Sequence, residues 1–141
     1  MSRKTKLDLL REVNLFALCS DKELKRLESL VDEATVPAGT VLIREGEVGV
    51  EAYVIVTGTA TVTLAGERVG ALGPGDAVGE MSLLDRQGPR SATVTADTEL
   101  AVFVLEPRSF NKLLDEHPGV SKQMAIALAR RLRAAEHAPT F

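Results

Sequence analysis

Apolar positions along this chain change their spacing twice. Near the start they follow one helical face: Leu7, Leu10 and Val13 line up within residues 5–13, and Thr5 with Asp8 makes a capping box. Asn14-Leu15-Phe16 breaks that pattern. Ser20 and Glu23 repeat the capping signature and open a second helix to about residue 31, with Leu24, Leu27 and Leu30 inward. After Asp32 the period drops to that of strands. Short β-rich runs follow at residues 40–43, 52–56, 59–64, 68–72, 92–96 and 100–105. Turn residues separate them, among them Pro37-Ala38-Gly39, Thr57-Gly58 and Gly73-Pro74-Gly75-Asp76. Thr59, Thr61 and Thr63 alternate with Ala60, Val62 and Leu64, which predicts a strand with one wet and one dry face. Helical spacing returns after Pro107, a good first helical residue, with Phe110, Leu113 and Leu114. Past His117-Pro118 a longer helix is predicted to about residue 136, with Val120, Met124, Leu128 and Leu132 every fourth position. Many short strands between helical ends predict a mainly β fold with flanking helices, built as a sandwich or jelly roll.

Composition narrows this picture. The 141 residues are 45% hydrophobic and 26% charged, enough for one domain with a core and unlike a disordered chain. We expect that domain to span residues 1–141, with helices in 1–31, a β-roll in 32–106 and helices in 107–141. A net charge of −3 gives no overall attraction to nucleic acid. The single cysteine, Cys19, excludes an internal disulfide and fits a reducing, cytoplasmic setting. It reads as a small buried hydrophobe between two helices, since nothing nearby would clearly lower its pKa. No apolar run reaches membrane-spanning length, and Met1-Ser2-Arg3-Lys4 leads into no signal-like apolar segment.

The candidate chemistry lies in residues 78–96. Gly79 lets backbone approach a ligand closely. Glu80 is an acceptor suited to a hydroxyl. Residues 81–84 can form one helical turn, whose first N–H groups suit an anion. Arg90 carries a planar fork of donors that matches a phosphate. Amides and a guanidinium for charge, with a carboxylate for a ribose, are what a sugar phosphate requires.

This stretch resembles the phosphate-binding cassette of the cyclic nucleotide-binding domain family, usually Phe-Gly-Glu-apolar-Ala-Leu-Leu, a loop, then Pro-Arg-Ala-Ala-Thr-Val. Gly79, Glu80, Leu83, Leu84, Pro89, Arg90, Ala92, Thr93 and Val94 match. Val78, Ser82 and Ser91 depart from it, and Val50 stands where many members carry Asp or another polar residue. Glu45-Gly46-Glu47-Val48-Gly49 with Tyr53, Ile55 and Gly58 looks like the family's first hairpin, its glycines serving as turn residues. The resemblance implies an eight-stranded antiparallel jelly roll with N-terminal helices and a C-terminal hinge and lid helix pair. It implies that Arg90 and main-chain N–H groups around Ser82 and Leu83 hold a cyclic phosphate. Glu80 then takes the ribose 2′-OH, Ser91 adds a hydroxyl to phosphate or base, and Gly79 and Ala92 leave room. Met81 completes the ligand-binding set of Gly79, Glu80, Met81, Ser82, Leu83, Arg90, Ser91 and Ala92. The ligand is cAMP or cGMP, with no further cofactor. In the family Thr after the arginine often goes with cGMP and Ala with cAMP; Ser91 lies between, and we take cAMP as the expectation. Leu128, Arg131 and Leu132 are candidates for the lid residues near the base.

Other chemistry finds little footing. The two histidines, His117 and His137, lie outside the β region, so neither a cupin-type metal cluster nor a hydrolase triad is expected. We expect no enzyme activity. Arg130, Arg131 and Arg133 favour a helix C-terminus through its dipole; with Arg3, Lys4 and Lys6 they would otherwise form a nucleic-acid patch. By resemblance, binding would move the C-terminal helix and act on a protein effector not encoded here, without a DNA-binding domain. That helix could also form a seam between two copies. The competing reading is an interaction module whose cassette no longer binds nucleotide.

Overall fold

The computed structural model describes residues 5–85 and 88–135. Readings that fall on Arg3, Lys4, His137 and the last residues lie outside these, as do Arg86 and Gln87 of the cassette and the side chain of Met81.

Both N-terminal capping boxes form as the sequence predicts. Helix α1, Lys6–Glu12, is capped by Thr5 and Asp8, each taking a backbone N–H of the other at 3.1 and 3.0 Å. A 3-10 turn at Asn14–Phe16 replaces the predicted break, and helix α2, Asp21–Leu30, opens on the Ser20 and Glu23 box. The strands are β1 Asp32–Val36, β2 Val41–Ile43, β3 Ala52–Thr57, β4 Ala60–Leu64, β5 Glu67–Leu72, β6 Ala77–Val78, β7 Thr93–Ala96 and β8 Leu100–Leu105. Helix α3, Met81–Leu84, sits between β6 and β7; α4, Pro107–Glu116, and α5, Gly119–Ala135, close the chain.

Two four-stranded antiparallel sheets, ordered β1-β8-β3-β6 and β2-β7-β4-β5, face each other as a jelly roll. Strand β8 shows why the two cores exist. Leu100 and Val102 point between the sheets, with Ile43, Ile55, Val62 and Val94. Phe103 and Leu105 point the other way, into a second core with Leu10, Phe16, Leu24, Leu27, Phe110, Val120 and Met124 from the helices. Period-two alternation on a strand covered on both faces gives the continuous apolar run of residues 100–105.

Two strands escape the apolar pattern. Residues 32–36 are mostly exposed, so they carry no alternation; pairing with β8 across the full register makes them a strand. Strand β6 is only two residues and is held against Tyr53 and Val54 of β3. Glycine Gly58, at φ +97°, closes β3 into β4 tightly enough that a Cβ would overlap the carbonyl of Glu99.

Candidate functional site

A cavity of about 470 Å³ lies between the sheets' side chains and the cassette. Its wall combines Ile43, Val62, Gly70, Ala71, Leu72 and Val94 from the sheets with Gly79, Glu80, Ser82, Arg90, Ser91 and Ala92 of the cassette. The polar side chains of this lining all come from the cassette; the opposite wall is aliphatic. Six of the eight expected ligand residues therefore border one hollow. Leu83 does not: its side chain is buried in the helical core, where it anchors α3 to the bundle.

Arg90 is held by acceptors on three sides. Its Nη2 donates to the Glu51 carbonyl at 2.7 Å, and its Nη1 to the Ser82 hydroxyl at 2.9 Å and the Gly79 carbonyl at 3.4 Å. Burial pulls its pKa down from the usual arginine value, while Tyr53, Glu51 and Glu80 push the other way. The charge is thus fixed at the cavity wall with little freedom to swing. Gly79 has φ +77°, and a Cβ there would overlap Arg90 and meet the Glu51 carbonyl at 2.8 Å. Its glycine character serves both the turn and the guanidinium.

Glu80 faces the same space from the other side. Arg131 of α5 donates to its Oε1 at 3.2 Å, and the Glu80 and Arg131 side chains are only 13% and 23% exposed. Of the three lid candidates, Arg131 is the one that hydrogen-bonds to a cassette side chain among the described residues. Leu128 packs on the helical core, and Leu132 is 70% exposed. The amides of Ser82 and Leu83, expected as phosphate donors, are bonded to the carbonyls of Gly79 and Glu80 at 3.1 and 3.2 Å.

The cyclic nucleotide-binding domain profile matches residues 33–117, a span that includes the whole cassette. The chain belongs to the cyclic nucleotide-binding domain family. It is 31% identical over 116 residues to the Pycsar effector protein XpPycTIR of Xanthomonas perforans, covering 82% of this chain but 38% of that protein. Among solved structures it resembles the N-terminal domain of a transcriptional regulator from Streptomyces coelicolor A3(2), with 33% identity, TM-score 0.80 and coverage of 95% and 99% of the two chains. It also resembles the regulatory domain of Toxoplasma gondii PKA crystallised with cAMP, with 34% identity, TM-score 0.68 and coverage of 76% and 42%.

Within this cyclic nucleotide-binding domain, three contributors to the site were not legible in the sequence. Gly49 reads as a turn glycine, yet its φ lies outside the left-handed region; it is small because a Cβ would overlap the guanidinium of Arg90. Glu51 contributes a main-chain carbonyl, which no side-chain pattern announces. Gly70, Ala71 and Leu72 of edge strand β5 form the apolar wall, and their sequence signals only a strand. No group of three or more His, Cys, Asp or Glu side chains able to hold a metal stands among the described residues. No described helix is long and apolar enough to cross a membrane.

Proposed function

We propose that this domain binds a 3′,5′-cyclic nucleotide, cAMP in preference to cGMP, and reports it through α5. The observation that carries this reading is Arg90 and Glu80 bordering one cavity whose lining outside the cassette is aliphatic. In this reading the guanidinium takes the ring phosphate, the carboxylate the free 2′-OH, and the apolar lining of Val62, Ala71 and Leu72 an uncharged base. A relative solved with cAMP supports the choice of ligand. Ser91, exposed at the rim, supplies a hydroxyl without the methyl of threonine.

The reporting step follows from Arg131. The ribose hydroxyl and Arg131 both call on Glu80, so ligand occupancy alters the contact that ties α5 to the cassette. A ligand moves a helix only by binding one of its positions more tightly. The domain is then a regulatory rather than catalytic unit, working in the cytoplasm through a protein effector; the chain spans only 38% of the XpPycTIR relative it matches. Isothermal calorimetry with cAMP and cGMP tests this on the wild type and on Arg90→Ala. We expect cAMP to bind more tightly and the variant to lose about 30-fold or more. A loss below threefold would remove Arg90 from the role assigned to it.

A further inference from the structure

Gly70 is the one glycine inside a strand among the described residues. Glycine weakens a strand interior, so its presence there calls for a reason: a special backbone angle, a close neighbour or an approaching ligand. The first two fail at Gly70. Its φ lies outside the left-handed region, although the ladder shifts register beside it, where Val69 is the extra residue. A Cβ built on it meets no atom within 4 Å beyond its chain neighbours. Gly49 and Gly79, by contrast, are kept small by Arg90.

The pairing says which way a side chain at residue 70 would point. Gly70 pairs with Val62, and directly paired residues of antiparallel strands share a face. Val62 is buried between the sheets and lines the cavity. Leu72, two residues further on and so on the same face, packs against the same core and also lines the cavity. The gap at Gly70 therefore opens into the aliphatic part of the cavity, flanked by Val62 and Leu72.

We propose that Gly70 is a specificity-determining residue: the gap beside it receives the second ring of a purine, so that cAMP binds in preference to a cyclic pyrimidine nucleotide. This rests on the cyclic nucleotide reading above and adds to it a choice of base by size. The sheet residues of the lining carry no polar side chain, so on this side the base is held by the area it covers and not by side-chain hydrogen bonds. A one-ring base leaves the gap unfilled and forgoes those contacts. A side chain at residue 70 would take the place of the second ring.

Calorimetry with cAMP and cyclic CMP on wild type, Gly70→Ala and Gly70→Val tests this. Wild type is expected to bind cAMP roughly tenfold or more tightly than cyclic CMP. Gly70→Val should lose roughly tenfold for cAMP and less than about threefold for cyclic CMP, which brings the two affinities together. Gly70→Ala adds a single methyl and should fall between. Without ligand, both variants should melt at or above the wild-type temperature, since a strand gains from losing a glycine. Equal losses for the two nucleotides, or no loss for either, overturn the role of Gly70. So does a lower melting temperature, which would make the glycine a requirement of the fold. Wild type that binds neither nucleotide overturns the cyclic nucleotide reading itself; wild type that binds both equally well overturns only the choice by ring size.

Discussion

Arg90 draws its orientation from backbone oxygens as much as from side chains, and that sets what single substitutions can do. Gly49 is the clearest case. A methyl group there would occupy the guanidinium's position, its three nearest neighbours all being atoms of Arg90. Gly49→Ala is therefore expected to weaken cAMP binding by roughly tenfold or more, a displaced charged hydrogen bond being worth about 1.5–3 kcal/mol, with a small change in thermal midpoint; calorimetry and a melting curve separate the two. Cys19 behaves in the opposite manner. Burial, with Glu23 nearby, raises its thiol to about 11, so the reactive thiolate is scarce at neutral pH. We expect a thiol reagent to label Cys19 at pH 7.5 only as fast as the protein unfolds. Rapid labelling of the native chain would show that the α1–α2 corner opens readily.

The elements carry a different division of labour. The stripe on α5 is buried at Val120, Met124 and Ala127, continues in partly buried Leu128, and has ended by Leu132, which is exposed. The first half of the helix is thus part of the core, and the second is tied to the cassette through Arg131. Met124→Ala is expected to cost about 2–5 kcal/mol of stability, the range for emptying a closed core site, readable by urea titration. Arg131→Ala should leave the urea midpoint nearly unchanged and alter nucleotide affinity. A large destabilisation by Arg131→Ala would mean the contact holds the fold together. Helix α4 is secured at its far end by Arg26 of α2, which grips both carboxylate oxygens of Glu116, through Nε at 2.5 Å and Nη2 at 2.8 Å. That hydrogen bond holds the Glu116 carboxyl below its usual pKa. A depressed folded-state value means the contribution is present above the ordinary carboxylate range and fades as pH falls through it. Thermal midpoints of wild type and Glu116→Gln should thus converge on going from pH 7 toward pH 3; a constant gap would assign the effect to shape instead of charge.

At the scale of the whole molecule, the jelly roll brings residues from positions 43 to 94 around one hollow and lets residue 131 reach Glu80 from a helix. Binding to the folded state alone should raise stability by about 2.7 kcal/mol when cAMP stands at 100 times its dissociation constant. A thermal shift that appears with cAMP and cGMP but not with adenosine would locate the gain at the phosphate. The sequence by itself determined the helices at both ends, both capping boxes, most strands and the cassette, because these depend on neighbours a few residues apart: a serine and a glutamate three positions on, a threonine between two apolar residues, a glycine beside a carboxylate. Strand β1 lay beyond it, since exposed residues acquire strand geometry only from the partner they bond to. So did the carbonyl of Glu51, the space kept by Gly49 and the grip of Arg131 on Glu80. Each of these joins atoms far apart along the chain, and only closing the two sheets and docking α5 brings them within hydrogen-bonding distance.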